Sequence, residues 1–349
     1  MSGFQPRPAE EFQFADILYQ KKDWVATVTI NRPRAHNAYS TRALEEMARA
    51  FKDASWDDSV AVLVLTGAGD QAFCTGGDVK EYASEYTRRP RDYWKWMGLF
   101  IACHDLLRNL GKPTIARING IVVGGGNEFN LACDLAVMAE HAYIRQVGTR
   151  VGSVACGGAT QWLPITVGDR RAREILFLCE EVEAGKCLEW GLVNRVVPSV
   201  RGRSGDFLRP KDLVAVRQAL ESGATIDLGP LDAGVQEIAS KLVEKFAECT
   251  RYTKQQVNFW KDLAWHQTIG HARDWLSVHY ACWEPNEGMN AFVERRAPDY
   301  VGLRRRATEG GSSEFPWGAY VRRCAACGAK LLPEGFAYCG ACGRPLGGD

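Results

Sequence analysis

No run of 18 or more apolar residues occurs in the 349-residue sequence, which argues against a membrane-spanning helix. The opening stretch MSGFQPRPAEEFQF lacks the apolar core of a secretory signal, so the expected compartment is the cytoplasm and no membrane partner is expected. Net charge is missing as well. The 43 Lys and Arg residues against 42 Asp and Glu leave a formal +1, too little for a global field that draws nucleic acid or an anionic surface. Any anion site must therefore be local. Internal repeats are absent, and no stretch properly matches the GxGxxG pattern of dinucleotide-binding folds.

What is present is ordinary globular material: 46% hydrophobic and 24% charged residues, enough for one large domain and an appendage. Eight of the twelve cysteines stand singly in apolar stretches: Cys74, Cys103, Cys133, Cys156, Cys179, Cys187, Cys249 and Cys282. In a reducing compartment these read as mostly small buried hydrophobes.

Alternating apolar residues over 24–31 predict a half-buried strand, the spacing of Leu44, Met47, Ala48 and Phe51 a helix over 41–56, and the run 60–67 a buried strand. The same succession returns over 113–142, so the expected class is α/β with a largely parallel sheet. Residues 198–232 are rich in Gly, Ser, Pro and charge and read as a surface insertion within a core spanning 1–232. Residues 233–303 are helical in spacing and carry Trp260, Trp265, Trp275 and Trp283, aromatics that bury against the core or another subunit. A linker is expected over 304–319 and a last small module over 320–349.

Two glycine loops stand out. AFCTGGDVKEY (72–82) places Gly76 and Gly77 between a strand and a helix, and GIVVGGGNEFN (120–130) places Gly124, Gly125 and Gly126 before another helix. Glycine lets backbone N–H groups approach a ligand closely, and two such loops converging aim two donors at one oxygen. The plain alternative for each loop is a tight strand-to-helix turn. With NRPRAHNAYS (31–40), NGIVVGGGNEFNLACDL (119–135), the block from Arg145 through GLVNRVVP (191–198) and EGMNAFVERRAPDY (287–300), the order of motifs resembles the crotonase (enoyl-CoA hydratase/isomerase) superfamily across about residues 14–300. The resemblance implies a spiral of ββα units with a helical C-terminal trimerisation region, assembled as a homotrimer or homohexamer. It implies a coenzyme A thioester as substrate, with the Gly77 and Gly125 amides on the thioester carbonyl oxygen.

Glu128 falls where hydratases carry one of two catalytic glutamates. A first-turn carboxylate can move a proton or activate water; its alternative role is to satisfy the helix dipole. The second glutamate's position falls at Gly148, which argues against a plain two-glutamate hydratase. Gly148 and the following VGS resemble the branch of the 1,4-dihydroxy-2-naphthoyl-CoA synthases and alicyclic ring-opening hydrolases. There Ser153 and Tyr280 match site residues, with helix capping and packing as their alternatives. Ala155 stands where the synthases have an acidic residue, and they lack a counterpart of Glu128. GSVACGGATQWLP (152–164) and the long insertion bring the chain nearest the 6-oxocyclohex-1-ene-1-carbonyl-CoA hydrolases of aromatic degradation, which implies hydration of a cyclic enone thioester followed by ring opening. Arg32 and Arg34 are candidates for coenzyme A phosphates, with solvation as the alternative. Ala72, Gly76 and Asp78 complete the implied coenzyme-binding set, with capping of the helix after the glycine loop as the alternative for Asp78, and His36 and Arg150 are candidates alongside Arg32 and Arg34.

The last four cysteines form CAAC (Cys324, Cys327), an eleven-residue spacer and CGAC (Cys339, Cys342), each pair followed by glycine. Two such knuckles predict a zinc ribbon with a closed, structural four-thiolate site, a redox or iron site being the alternative. Arg322, Arg323, Lys330 and Arg344 do not decide whether it meets nucleic acid, a protein or nothing. Nucleic acid is not expected, and a protein partner stays open. The rival to an enzyme is a catalytically silent scaffold whose ribbon recruits a partner.

Overall fold

The structure, a computed structural model, describes residues 7–311, 317 and 320–347. Of the expected linker, 312–316 and 318–319 lie outside the described residues. The strands are β1 (Ile17–Lys22), β2 (Val25–Ile30), β3 (Val62–Gly67), β4 (Ala72–Cys74), β5 (Thr114–Ile118) and β6 (Ile121–Val123). Next come β7 (Leu135–Ala139), β8 (Tyr143–Arg145), β9 (Val182–Glu183), β10 (Arg195–Val197), β11 (Val200–Arg201) and β12 (Thr225–Ile226). The helices are α1 (Thr41–Trp56), the single turn α2 (Val79–Glu81), α3 (Pro90–Arg108), α4 (Gly125–Ala132), α5 (Ala159–Val167) and α6 (Asp169–Leu178). They continue as α7 (Ala184–Glu189), α8 (Leu213–Glu221), α9 (Gly229–Val243), α10 (Ala247–Val257), α11 (Phe259–His279), α12 (Trp283–Val293) and α13 (Tyr300–Thr308).

A six-stranded sheet runs β1-β2-β3-β5-β7-β10, and a four-stranded sheet runs β4-β6-β8-β9. The chain alternates between them. β3, β5 and β7 enter the first sheet, the strand after each (β4, β6, β8) enters the second, and helical segments follow before the chain returns. This is the expected spiral of ββα units. All pairs from β2 to β10 in the first sheet are parallel, as are β4–β6 and β6–β8. The loops after β4, β6 and β8 therefore leave from one edge of one sheet, the carboxyl edge where open α/β sheets bind ligands.

β3 is buried along its whole length because both faces of the first sheet are covered, which is why it reads as an unbroken apolar run. On one face Val62, Val64, Ile115 and Val137 pack with Leu231, Val235 and Ala239 of α9. α1, capped by Ser40 on the Ala43 amide at 3.1 Å, buries Leu44, Met47, Ala50 and Phe51. The buried Glu46 carboxylate of α1 accepts the amides of Ala15 (2.9 Å), Asp16 (2.8 Å) and Ile17 (3.2 Å), anchoring the start of β1.

The described chain divides into two compact units. The first comprises Met1–Asp78, Lys95–Thr149 and Val154–Arg273; the second comprises Val79–Trp94, Arg150–Ser153 and Asp274–Asp349. In the first, Trp265 is fully buried, stacks on Trp162 at 5.0 Å and donates to Asp105 at 2.9 Å, whereas Trp260 is exposed. Residues 198–232 carry the β11–β12 pair and α8. In the second, α13 continues to Thr308, into the segment read as linker. Of the eight single cysteines, Cys249 is exposed and Cys282 half-buried; the other six are buried.

Candidate active site

The two glycine loops follow β4 and β6, which pair in parallel with Ala72 opposite Ile121 and Cys74 opposite Val122. A β-carbon on Gly76, whose φ is +88°, would lie 3.1 Å from the Gly125 amide nitrogen and 3.1 Å from the Val123 carbonyl oxygen, so the loops abut. Gly77 forms a parallel bridge with Tyr39: the Tyr39 amide donates to the Gly76 carbonyl at 2.9 Å, and the Asp78 amide donates to the Tyr39 carbonyl at 3.0 Å. In a parallel bridge the central residue's own N–H points away from its partner. Among the described residues, neither the Gly77 amide nor the Gly125 amide has an acceptor.

Tyr39 spans both loops. Its main chain holds the first, and its hydroxyl would lie 1.9 Å from a β-carbon on Gly125. Its ring packs on Phe100 at 5.8 Å and edge-on to Phe129 at 5.5 Å. Gly125→Ala must therefore displace either the phenol or the start of α4. The expected loss in kcat/KM is about 10²–10³-fold, that of an oxyanion donor moved out of place. Adding Tyr39→Leu, which removes the obstructing hydroxyl, is expected to restore part of it. Full activity in Gly125→Ala alone would contradict the assignment.

Glu128 lies on α4, its amide donating to the Gly124 carbonyl at 3.3 Å. The side chain is buried beneath the loop leading into α5, where Oε1 accepts the Ala159 amide at 3.3 Å. Burial pushes its carboxyl up to about 7, against the opposing pull of the Ala159 and Gly157 amides. A β-carbon on Gly157 would stand 2.0 Å from the Phe100 ring and 3.0 Å from Glu128 Oε2, so glycine is what lets this loop close over the carboxyl. Gln161 stiffens the same loop by accepting the Gly158 amide at 3.2 Å and donating to the Cys156 carbonyl at 2.8 Å. A carboxyl balanced near neutrality suits proton transfer in either direction.

The enoyl-CoA hydratase/isomerase family model matches residues 20–220 of this chain. The chain belongs to the enoyl-CoA hydratase/isomerase family. It is 32% identical over 346 aligned positions to the 6-oxocyclohex-1-ene-1-carbonyl-CoA hydrolase of Geobacter metallireducens, covering 91% of this chain and 88% of the relative. To the enzyme of that name from Thauera aromatica it is 30% identical, covering 90% and 88%. Among solved structures it resembles an enoyl-CoA hydratase from Mycobacterium avium subsp. paratuberculosis K-10, with TM-score 0.67, 25% identity, and 82% of this chain and 99% of that one covered. It likewise resembles the enoyl-CoA hydratase from Bacillus anthracis, with TM-score 0.58, 28% identity, and 82% and 100% covered. The crotonase fold is thereby shown, and a coenzyme A thioester substrate fits the family.

Within this crotonase-family chain the other candidates separate. Arg32 is engaged internally: its guanidinium donates to Asp78 at 2.9 Å and to the Ala38 carbonyl, and Asp16 lies 3.7 Å away. It braces the first motif against the first glycine loop. Arg34 is exposed. Ala72 is buried in β4, and its carbonyl receives the Asn37 amide at 2.7 Å and the Asn119 amide at 3.1 Å, contacts that anchor the strand. Gly148 and Arg150 lie on a short 3₁₀ turn beyond β8, and His36 sits at a left-handed position with φ 48°. In the second unit, the Ser153 and Tyr280 hydroxyls are 3.2 Å apart, and the buried Tyr280 ring stacks on Tyr93 at 3.6 Å. Tyr39, Phe100 and Gln146 were not singled out from the sequence. Tyr39 lies inside the first motif, but its bridge to Gly77 joins distant segments and leaves no periodic trace.

Cys324, Cys327, Cys339 and Cys342 converge with all four sulfurs within 4.8 Å of one another. The pairs Cys324–Cys342 and Cys327–Cys339 are each 3.7 Å apart, far beyond disulfide bonding. Sulfurs about 2.3 Å from a central zinc stand about 3.8 Å apart in a tetrahedron, so the set fits that ion. Gly328 and Gly343, at φ +77° and +69°, turn each knuckle. Among the described residues the core beneath is Cys324, Cys339 and Leu346, with Ala329, Leu332 and Phe336 packed against it. Arg322 donates to the Phe336 carbonyl at 2.8 Å and the Leu346 carbonyl at 3.1 Å, which makes it an internal brace.

Proposed function

We propose that this chain adds water to the double bond of an enoyl-CoA thioester, on a cyclic substrate with subsequent ring opening. The reading is carried by one juxtaposition: a buried carboxyl near neutral pKa on the helix whose first amide, with that of Gly77, has no acceptor among the described residues. The Gly77 and Gly125 amides hold the thioester carbonyl oxygen and stabilise the enolate. Glu128 takes a proton from water as the oxygen bonds to Cβ, and the enolate collapses as Cα receives that proton. For ring opening, a second water attacks the ring ketone. The bond from that carbon to Cα breaks, its electron pair passes into the thioester enolate, and Cα is protonated. The likeness to two 6-oxocyclohex-1-ene-1-carbonyl-CoA hydrolases, over 91% and 90% of this chain, supports this substrate class.

Arg34 is assigned to a coenzyme A phosphate on its exposure, and Ser153 and Tyr280 are proposed to act as one hydrogen-bonded pair. The four cysteines are proposed to hold a structural zinc ion that supplies folding energy and no catalytic step. The exposed Phe259, Trp260 and Leu263 of α11 support a homotrimer or homohexamer as the assembled state. Among the described residues no helix is long and apolar enough to cross a membrane.

Mass spectrometry after incubation with cyclic and linear enoyl-CoA thioesters tests the reaction. A gain of one water supports hydration, a gain of two supports ring opening, and unchanged masses throughout the panel would contradict both.

A further inference from the structure

The Gly124–Gly125 peptide carries the second amide assigned above to the oxyanion, and it lies in the softest stretch of the site. Gly124, Gly125 and Gly126 follow one another, and Gly124 sits at φ +54° and ψ −120°, where a β-carbon would meet nothing nearer than Val147 at 3.8 Å. No side chain of its own restrains this peptide plane. An outside brace is present. The Gly124 amide donates to the carbonyl of Arg145, the last residue of β8, at 2.9 Å, carrying the β6–β8 pairing one residue beyond β6. This register delivers the next residue, Gln146, beside Gly124. There Nε2 donates to the Gly124 carbonyl at 3.3 Å. The peptide is trans, so this carbonyl and the Gly125 N–H share one plane and point in opposite directions.

We infer that Gln146 is a positioning residue for the second oxyanion amide: by holding the Gly124 carbonyl it fixes the direction of the Gly125 N–H and polarises it. The inference rests on the oxyanion role proposed for Gly125. The same carbonyl also accepts the Asn127 amide at 2.9 Å and the Glu128 amide at 3.3 Å, so three donors draw electron density through one peptide. The Gly76–Gly77 peptide is held in the same manner, with the Tyr39 amide on the Gly76 carbonyl at 2.9 Å. At Gly76 this brace is main chain, whereas at Gly124 the Gln146 side chain joins two main-chain donors.

Stability alone does not account for glutamine here. Gln146 is fully buried, and its Oε1 has no partner among the described residues. A buried acceptor without a donor is destabilising, so an apolar side chain of similar size is the more stable occupant.

The test is Gln146→Met, with Gln146→Leu as a second variant. Each is expected to melt at or above the parent temperature and to keep KM within about twofold, while kcat falls about tenfold. That is less than the 10²–10³-fold cost of deleting a donor outright. The direct readout is the carbonyl stretch of cinnamoyl-CoA labelled with carbon-13 at the thioester carbon, recorded by infrared difference spectroscopy on the bound complex. The parent is expected to lower that frequency from its solution value, and the variants to lower it less. Equal kcat, or an equally lowered band in folded variants, would overturn the inference alone. A parent that leaves the band at its solution frequency would overturn the oxyanion reading and the inference together.

Discussion

Glu128→Gln is expected to lower kcat by about 10²–10⁴-fold while leaving substrate affinity nearly unchanged, because the amide keeps the shape of the carboxyl and loses its proton chemistry. The pH dependence gives the same residue a second signature. Burial raises the Glu128 carboxyl to about 7, so the ionised form that accepts a proton from water accumulates only above that pH. The parent's kcat/KM is expected to rise through a limb centred near pH 7, and the variant's residual activity to lack that limb. Stability moves the opposite way. The folded state binds this proton more tightly than the unfolded chain, whose ordinary glutamate value is 4.5. Stability from this group is therefore full below about pH 4.5, declines as pH rises to about 7, and is lower above it by about 3 kcal/mol. Glutamine never ionises. The variant should gain melting temperature relative to the parent between pH 5 and pH 8. A parent and variant with parallel melting curves across that range would show that Glu128 is not held at a raised value.

The second large effect expected is that of removing the zinc ion proposed for Cys324, Cys327, Cys339 and Cys342. Among the described residues the packed interior of this segment is Cys324, Cys339, Leu346 and their neighbours, too little to order a segment of this size unaided. Structural zinc sites bind with about 10–16 kcal/mol of free energy, and that energy becomes folding energy where no site exists in the unfolded chain. Treatment with a strong chelator is expected to release one zinc per chain and to expose residues 320–347 to protease while the crotonase fold stays resistant. Cys324→Ser should behave as the chelated protein does. Protein purified without zinc whose C-terminal segment resists protease to the same degree would contradict the assignment.

Sequence patterning made the fold legible wherever burial was local. β3 shows its burial on both faces as an unbroken apolar run, α1 shows its core stripe in Leu44, Met47 and Phe51, and the alternation of strands and helices foretells a largely parallel sheet. The glycine loops and Glu128 were equally visible, because a cluster of glycines before a helix is a sequence feature in its own right. Contacts between distant segments were not. Arg32 and Arg34 look equivalent in the sequence, yet Arg32 pairs with Asp78 46 positions away while Arg34 stays exposed. Trp260 and Trp265 share one helix, yet only Trp265 meets Trp162. Gln146 carries no signal at all in a linear reading. Its neighbour Gly124 is 22 positions away, and only the parallel register of β6 and β8 brings them together.

The account depends most on where a thioester oxygen comes to rest. The decisive measurement is a crystal structure of this protein with a slowly reacting enoyl-CoA thioester bound. The carbonyl oxygen is expected within about 3.1 Å of both the Gly77 and the Gly125 nitrogens, the reach of a working oxyanion hole, with Cβ facing the Glu128 carboxyl. A carbonyl lodged elsewhere, or one touching a single glycine amide with the other turned into protein, would contradict it.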